Sequence, residues 1–376
     1  MKKVLHISKY YFPICGGTEQ VAKDCVSALK DICEQKVFCF NEEKRDLFDS
    51  VDEVEVIRAG CFSKILSQSL SLSYGRLLRE AINNFAPDII IFHYPNPFAA
   101  AFLLKYIPEN CKLIVYWHLD IVKQKYLKFL FVQQNNKLLE RADKVIATSP
   151  NYMEESPYLS KYRKKCVVIP NCISEERLVS TEKSKTLTAQ ILKDNKGKII
   201  CFAVGRHVPY KGLTYLIQAS KYLDDRFRIY IGGQGPLTEE LKAEAKGDEK
   251  IKFLGRISDE ELFAWYSAMD IFCFPSITKN EAFGIALAEA MYFGKPAVTF
   301  TIPGSGVNYV CVNRENGIEV PNQDIKAYAE AMKKLADDEE LRNRLGQAGK
   351  QRVEENFMFR QFKTILIDLF QNLSLR

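Results

Sequence analysis

At 376 residues, 47% apolar and 27% charged, the chain has the makeup of a globular protein and the length of two ordinary domains. Its formal net charge of +6 is modest, and no basic helix face interleaved with aromatics argues for a nucleic-acid partner. No stretch approaches the roughly 20 apolar residues of a membrane span, the N-terminal apolar run is too short for a signal peptide, and the eleven cysteines are scattered without a C-x-x-C pair, as expected of buried thiols in a reducing cytoplasm.

Residues 4–8 read as a first buried strand, followed by Pro13-Ile14-Cys15-Gly16-Gly17-Thr18-Glu19. This is not the G-x-G-x-x-G fingerprint, so a nicotinamide cofactor loses its main support. Adjacent glycines ahead of a helical pattern at 19–30 let backbone N–H groups approach an anion closely, which makes Gly16 and Gly17 candidate ligand-loop residues. Strands follow near 37–40, 54–58, 89–93 and 113–117, with a helix at 74–85. The last strand runs into Trp117-His118-Leu119-Asp120. Open α/β sheets present functional groups at the carboxyl ends of their strands, so His118 is a candidate site residue, whereas His6 and His93 are expected to pack or bond locally.

A helical pattern covers 123–141, and 121–139 carries Lys123, Lys125, Lys128 and Lys137 with no acid, beside Tyr126, Phe129 and Phe131. Such a stretch fits either a core helix with its lysines in water or contact with an anionic membrane surface. Strands near 145–148 and 167–169 complete the half. Residues 174–197 are polar and read as a linker between a first domain, 1–173, and a second, 198–356. The second half repeats the alternation, with strands near 199–204, 227–231, 252–254, 271–274 and 297–300. Short, continuously apolar strands separated by helices predict an α/β protein of two doubly wound, Rossmann-like domains facing across a cleft.

The loop Gly205-Arg206-His207-Val208-Pro209-Tyr210-Lys211-Gly212 leaves the strand at 199–204 towards a helix at 213–221. Arginine gives planar, bidentate contacts to phosphate and lysine a point charge, so Arg206 and Lys211 together suit a diphosphate, with His207 expected to line the site. Further on, Glu281-Ala282-Phe283-Gly284-Ile285 precedes an apolar helix that contains Glu289 and ends at Gly294-Lys295-Pro296. Glu281, Phe283, Gly284 and Ile285 then surround a helix N-terminus, where backbone N–H groups favour an anion. The segment 301–307, with Gly304 and Gly306, reads as a flexible loop near this site, 316–321 as a scaffold turn, and 357–376 as a final helix.

The segment Glu281-Ala-Phe-Gly284-x4-Glu289-Ala-Met-x2-Gly294-Lys-Pro296 resembles the E-x7-E motif of the retaining glycosyltransferases that move hexoses from nucleotide sugars (glycosyltransferase family 4, GT-B fold). The Arg206/Lys211 loop and the Pro-x-x-Gly-Gly-x-Glu loop resemble the same family's elements and occur in family order; Trp117-His118-x-Asp120 is similar to bacterial mannosyltransferases of polysaccharide synthesis, with Leu119 in place of a serine. The resemblance implies a donor site in the second domain: Glu289 on the ribose, Arg206 and Lys211 on the diphosphate, Glu281 on the sugar, and Phe283, Gly284 and Ile285 around them. It implies an acceptor side at Gly16, Gly17 and His118, and a last helix that packs back on the first domain. Catalytic roles fall to His118, Glu281, Arg206 and Lys211. No Asp-x-Asp metal signature is present, so metal-independent transfer without a cofactor is expected. GDP-mannose is the first donor expected and a lipid-linked or oligosaccharide acceptor the partner, on the cytoplasmic side of the membrane. UDP-hexose or UDP-N-acetylhexosamine donors, a nucleotide-sugar epimerase of the same fold, and an inactive sugar-binding subunit are the alternatives.

Overall fold

The central apolar runs become strands because helices cover both faces of their sheets, and shorter edge and hairpin strands accompany them. In the first half these are β1 (Lys2–Ile7), β2 (Cys33–Phe40), β3 (Leu47–Val51), β4 (Val54–Ala59), β5 (Ser63–Ile65), β6 (Gln68–Leu70), β7 (Ile89–Tyr94), β8 (Lys112–Trp117), β9 (Lys144–Ala147) and β10 (Cys166–Val168). In the second they are β11 (Ile199–Val204), β12 (Phe227–Gly232), β13 (Ile251–Gly255), β14 (Ile271–Phe274), β15 (Ala297–Phe300) and β16 (Gly317–Val320). The computed structural model describes residues 1–14, 16–65, 68–120 and 128–374. Two compact units are present: Met1–Pro170 with the C-terminal segment from Phe362, and Asn171–Gln361.

The first unit holds an eight-stranded sheet of order β10-β9-β8-β7-β1-β2-β4-β3, parallel except for the antiparallel β3–β4 edge, and a small β5–β6 hairpin. Central strands such as β7 are buried along their whole length. The second unit holds a parallel six-stranded sheet of order β13-β12-β11-β14-β15-β16. In both sheets the chain reverses its direction of winding at one point, between β1 and β7 and between β11 and β14. The crevice beyond the strand ends at such a point is where open α/β sheets bind ligands.

One expectation needs amending, one lies partly outside the described residues, and one strand went unread. The segment 174–197 is not a free linker: it lies in the second unit, and Glu182–Asp194 is a helix packed on the helix Asp259–Ala268. Its polar sequence hides it, but Thr181 and Ser184 cap it reciprocally through side chain and backbone. The strand β3 also escaped the apolar pattern, since Phe48 is exposed on this sheet edge. Of 121–139, residues 121–127 lie outside the described residues. The rest belongs to the helix Lys128–Arg141, which turns Asn135, Leu138 and Leu139 inward, bonds Gln134 to the Pro97 carbonyl and leaves Lys137 exposed.

The last helix, Phe359–Ser374, joins the first unit from Phe362 onward, with Lys363 paired to Asp31 at 3.1 Å. The ten described cysteines are free and, apart from Cys166, buried. Among the described residues no helix is long and apolar enough to cross a membrane.

Candidate active site

The Arg206/Lys211 loop and the Glu281 segment both belong to the second unit and leave adjacent strands, β11 and β14, at the reversal point of its sheet. Their close approach depends on glycine. Gly212 has φ +62° and starts the helix Leu213–Ser220; a Cβ there would stand 2.1 Å from the Pro275 carbonyl oxygen of the other loop. That contact brings Lys211 onto Glu281 as an ion pair, with the Ser276 hydroxyl 3.2 Å from the same carboxylate. The Lys211 ammonium also lies 5.0 Å from the centre of the Phe274 ring. Burial works against the Lys211 charge, yet Glu281 beside it holds the ammonium above its ordinary range. Arg206, by contrast, is exposed and makes no ion pair among the described residues. One cation is thus already engaged and the other open to an incoming anion.

Gly284, at φ +93°, turns the chain into the helix Ile285–Tyr292, so the backbone of 284–286 forms the helix start expected beside Glu281. Phe283 is buried against the Phe357 ring rather than open to a ligand. The loop 301–306 is not loose: Ser305 donates to the Glu281 carbonyl at 2.5 Å, and a Cβ on Gly306 would come within 2.0 Å of the Ala282 carbonyl oxygen.

Glu289 is 3% exposed and held at both carboxylate oxygens. Tyr266 donates its hydroxyl to one carboxylate oxygen at 2.9 Å, and Arg177 stands 3.5 Å from the other while also binding Asp259 at 2.9 Å. Burial raises the Glu289 carboxyl above the usual range, against the opposing pull of Arg177 and Tyr266. Arg177 and Tyr266 are invisible as site neighbours in the sequence, since each meets Glu289 from a different element and neither stands in a motif, whereas Ser305 falls in the loop 301–307 that the sequence places near the site. His207 does not line this site openly. It is buried, with its Nδ1 2.9 Å from the Thr238 hydroxyl.

In the first unit, Gly16 caps the helix Gly17–Leu29 in an extended conformation. Glu19 folds back over it, since a Cβ on Gly16 would lie 2.4 Å from the Glu19 carboxylate. The preceding turn is held by Arg58, buried at the end of β4, whose guanidinium binds the carbonyls of Tyr11 and Phe12 together with Asp49. The same sheet carries a row of stacked rings near its reversal point: His6 on β1, His93 on β7, and His118 just past β8. Nδ1 of His93 and Nε2 of His118 are 3.0 Å apart, and Nε2 of His6 is 2.8 Å from the Gln35 side-chain oxygen. Asp120 is buried nearby, accepting from the Trp117 indole at 2.9 Å and the Ser156 hydroxyl at 2.8 Å.

Burial keeps this row neutral. It lowers His6 to about 4 and His118 to about 3, and pulls His93 well below its ordinary value. An unfolded chain takes up protons on these rings below pH ~6.5, while the folded one does not, so they cost stability as pH falls from ~6.5 towards 4 and nothing above it. His6→Gln should therefore show a stability deficit that shrinks on acidification, by at most ~1.4 kcal/mol per pH unit. Urea unfolding of both proteins between pH 4 and 8 checks this; a deficit that stays constant would contradict it.

Residues 15–177 match the family model described as Glycosyltransferase Family 4, and residues 184–352 that described as Glycosyl transferases group 1. The chain is 31% identical to O-antigen chain mannosyltransferase C of Escherichia coli, covering 99% of this chain and 98% of that protein. It is 30% identical to D-rhamnosyltransferase WbpZ of Pseudomonas aeruginosa, covering 94% and 92%. Among solved structures, sucrose-phosphate synthase from Thermosynechococcus elongatus has a TM-score of 0.83 at 20% identity over the whole of both chains. HepE of Anabaena, solved with UDP and glucose, has a TM-score of 0.79 at 16% identity, covering 99% of this chain and all of that one. At these identities the two structures speak to fold alone. Full-length relatedness, both halves matched by glycosyltransferase family models and a fold shared with such enzymes lead to one conclusion: the chain belongs to the family 4, group 1 glycosyltransferases of GT-B fold and is an enzyme of glycosyl transfer.

Proposed function

We propose that this enzyme transfers a hexosyl group with retention of configuration, first of all mannose from GDP-mannose, to a lipid-linked or oligosaccharide acceptor of a surface polysaccharide. The observation that carries the reading is the pairing of Lys211 with Glu281 beside an unengaged Arg206, at the reversal point of the second sheet. The mannosyl donor is supported by the similarity to the Escherichia coli mannosyltransferase, with the rhamnosyltransferase relative marking a competing sugar.

In this reading Arg206 meets the donor diphosphate, which also competes with Glu281 for Lys211. Released from that pair, the Glu281 carboxylate accepts hydrogen bonds from sugar hydroxyls, while the backbone N–H groups at Gly284 and Ile285 face the phosphates. Glu289, already held by Tyr266 and Arg177, receives the ribose hydroxyls. The sugar–phosphate bond breaks, the acceptor oxygen forms the new bond on the same face, and the departing phosphate takes the acceptor's proton. Stabilising the charge that grows on this leaving group is the largest catalytic contribution. Gly16, Gly17 and His118 serve the acceptor side. The two cations and the helix start do the work that a divalent cation would otherwise do, so activity should persist in excess chelator. A lipid-linked acceptor would place the enzyme at the cytoplasmic face of a membrane.

Thermal shift with GDP-mannose, UDP-glucose, UDP-N-acetylglucosamine and the bare nucleotides is the direct test. A ligand at 100 times its Kd stabilises by about 2.7 kcal/mol. Stabilisation by the GDP series alone, lost in Glu289→Ala, is the expected result; stabilisation by UDP ligands alone would overturn the donor. Consumption of donor to an isomer without acceptor would instead indicate an epimerase.

A further inference from the structure

His118 approaches any ligand with only one free ring nitrogen. Its Nε2 is taken up by His93, and Nδ1 has no protein partner among the described residues. What His118 can offer therefore depends on which atom carries the proton in the His93–His118 bond. If His93 donates from Nδ1, His118 has a bare Nε2 and presents Nδ1–H, a donor. If His118 donates from Nε2, it presents a bare Nδ1, an acceptor.

The surroundings of His93 choose between the two. Its remaining nitrogen, Nε2, is buried without a hydrogen-bond partner among the described residues. A buried N–H left without an acceptor is rarer than a buried acceptor left without a donor, because the lost bond to water is the costlier one. His93 therefore keeps its proton on Nδ1, where His118 accepts it. The next ring in the row obeys the same rule independently. The Gln35 amide nitrogen donates to the Val26 carbonyl at 2.9 Å, so its oxygen faces His6 and must accept from Nε2–H. The proton of His6 then lies on Nε2, and its Nδ1, buried without a partner among the described residues, is again the bare nitrogen. The stacked Tyr116 ring, 4.5 Å from His118 and 5.6 Å from His93, fixes both planes, with its own hydroxyl turned to the Ile169 carbonyl.

We infer that His93 is a positioning residue that fixes His118 as the neutral Nδ1–H tautomer, so that His118 meets its substrate as a hydrogen-bond donor to an oxygen lone pair and not as a base. This rests on the reading of His118 as a substrate-side residue. It assigns a function to a histidine that the sequence marked only as packing or bonding locally, and it selects the chemistry of the ligand atom: a sugar hydroxyl oxygen or a phosphoryl oxygen accepting a hydrogen bond.

The chain has only four histidines, so 15N-histidine labelling of the full-length enzyme resolves them, with His118→Gln identifying the His118 signals. The expected spectrum has a protonated, pyrrole-type Nδ1 on His118 at neutral pH. In kinetics, His93→Phe keeps the stacked ring but removes the donor, and should lower kcat at least about tenfold with little change in donor KM. His93→Asn places an N–H donor where Nδ1 stood and should return kcat to within about threefold of the wild type. A His118 protonated on Nε2 would overturn the inference, as would full activity of His93→Phe beside an inactive His118→Ala. If His118→Ala itself is fully active, the substrate-side reading falls first and this inference with it. Should His93→Phe fail to fold, the tautomer of the wild type still decides.

Discussion

Arg206→Ala should lower kcat by about 10²–10³-fold, the cost of removing one donor aimed at developing negative charge. The melting temperature should hardly move, because the Arg206 side chain is exposed and makes no ion pair among the described residues, and surface substitutions of that kind stay within about 0.5 kcal/mol. Arg206→Lys should recover only part of the rate, since a point charge replaces a planar fork that can hold two phosphate oxygens at once. Steady-state kinetics with GDP-mannose, alongside thermal melts of the same samples, give both readings. A kcat within about threefold of the wild type would remove Arg206 from the leaving-group site.

Lys211→Met should behave differently, losing activity and stability together. The side chains of Lys211 and Glu281 are only 15% and 12% exposed, so the substitution strands a carboxylate in a poorly solvated place. Breaking a buried pair in this way costs about 3 kcal/mol or more. Adding Glu281→Gln to Lys211→Met should return much of that stability while leaving the enzyme inactive, a coupling of ~1–3 kcal/mol between contacting residues. The chain's two tryptophans make the measurement clean: Trp265 lies in the second unit and Trp117 in the first, so fluorescence unfolding in a Trp117→Phe background follows the unit that holds the pair. Additive losses, with no recovery in the double variant, would mean that the two charges do not depend on one another.

The contrast between these cations was not legible in the sequence, where Arg206 and Lys211 stand equal in one loop. What the sequence reveals well is whatever rests on local pattern. Continuous apolar runs mark β11, β14 and β15 to the residue, and glycines mark the turns at 212 and 284. Less visible is whatever depends on a partner distant in the chain. Lys211 owes its engaged state to Glu281, and Glu289 owes its fixed carboxylate to Arg177, 112 residues earlier in a stretch that reads as a connector. The helix Glu182–Asp194 was missed for a related reason: few of its side chains are buried, so the periodic apolar signal that betrays other helices is weak. His93 shows the same limit from inside the core. Its burial on β7 is evident from the run Ile89–Tyr94, but only the neighbouring strand end supplies the ring to which it bonds.

The contact of Gly306 and Ser305 with the backbone at Ala282 and Glu281 bears on how new specificities can be made from this scaffold. Because a methyl group at 306 would strike the 282 carbonyl, and the 305 hydroxyl is committed to the 281 carbonyl, the two segments accept each other's shape only as a matched set. A grafted 301–306 segment with a side chain at 306, or without a hydroxyl at 305, would disturb the backbone beside Glu281. Chimeras that exchange 275–284 together with 301–306, leaving the strands beneath them untouched, carry both sides of this contact at once.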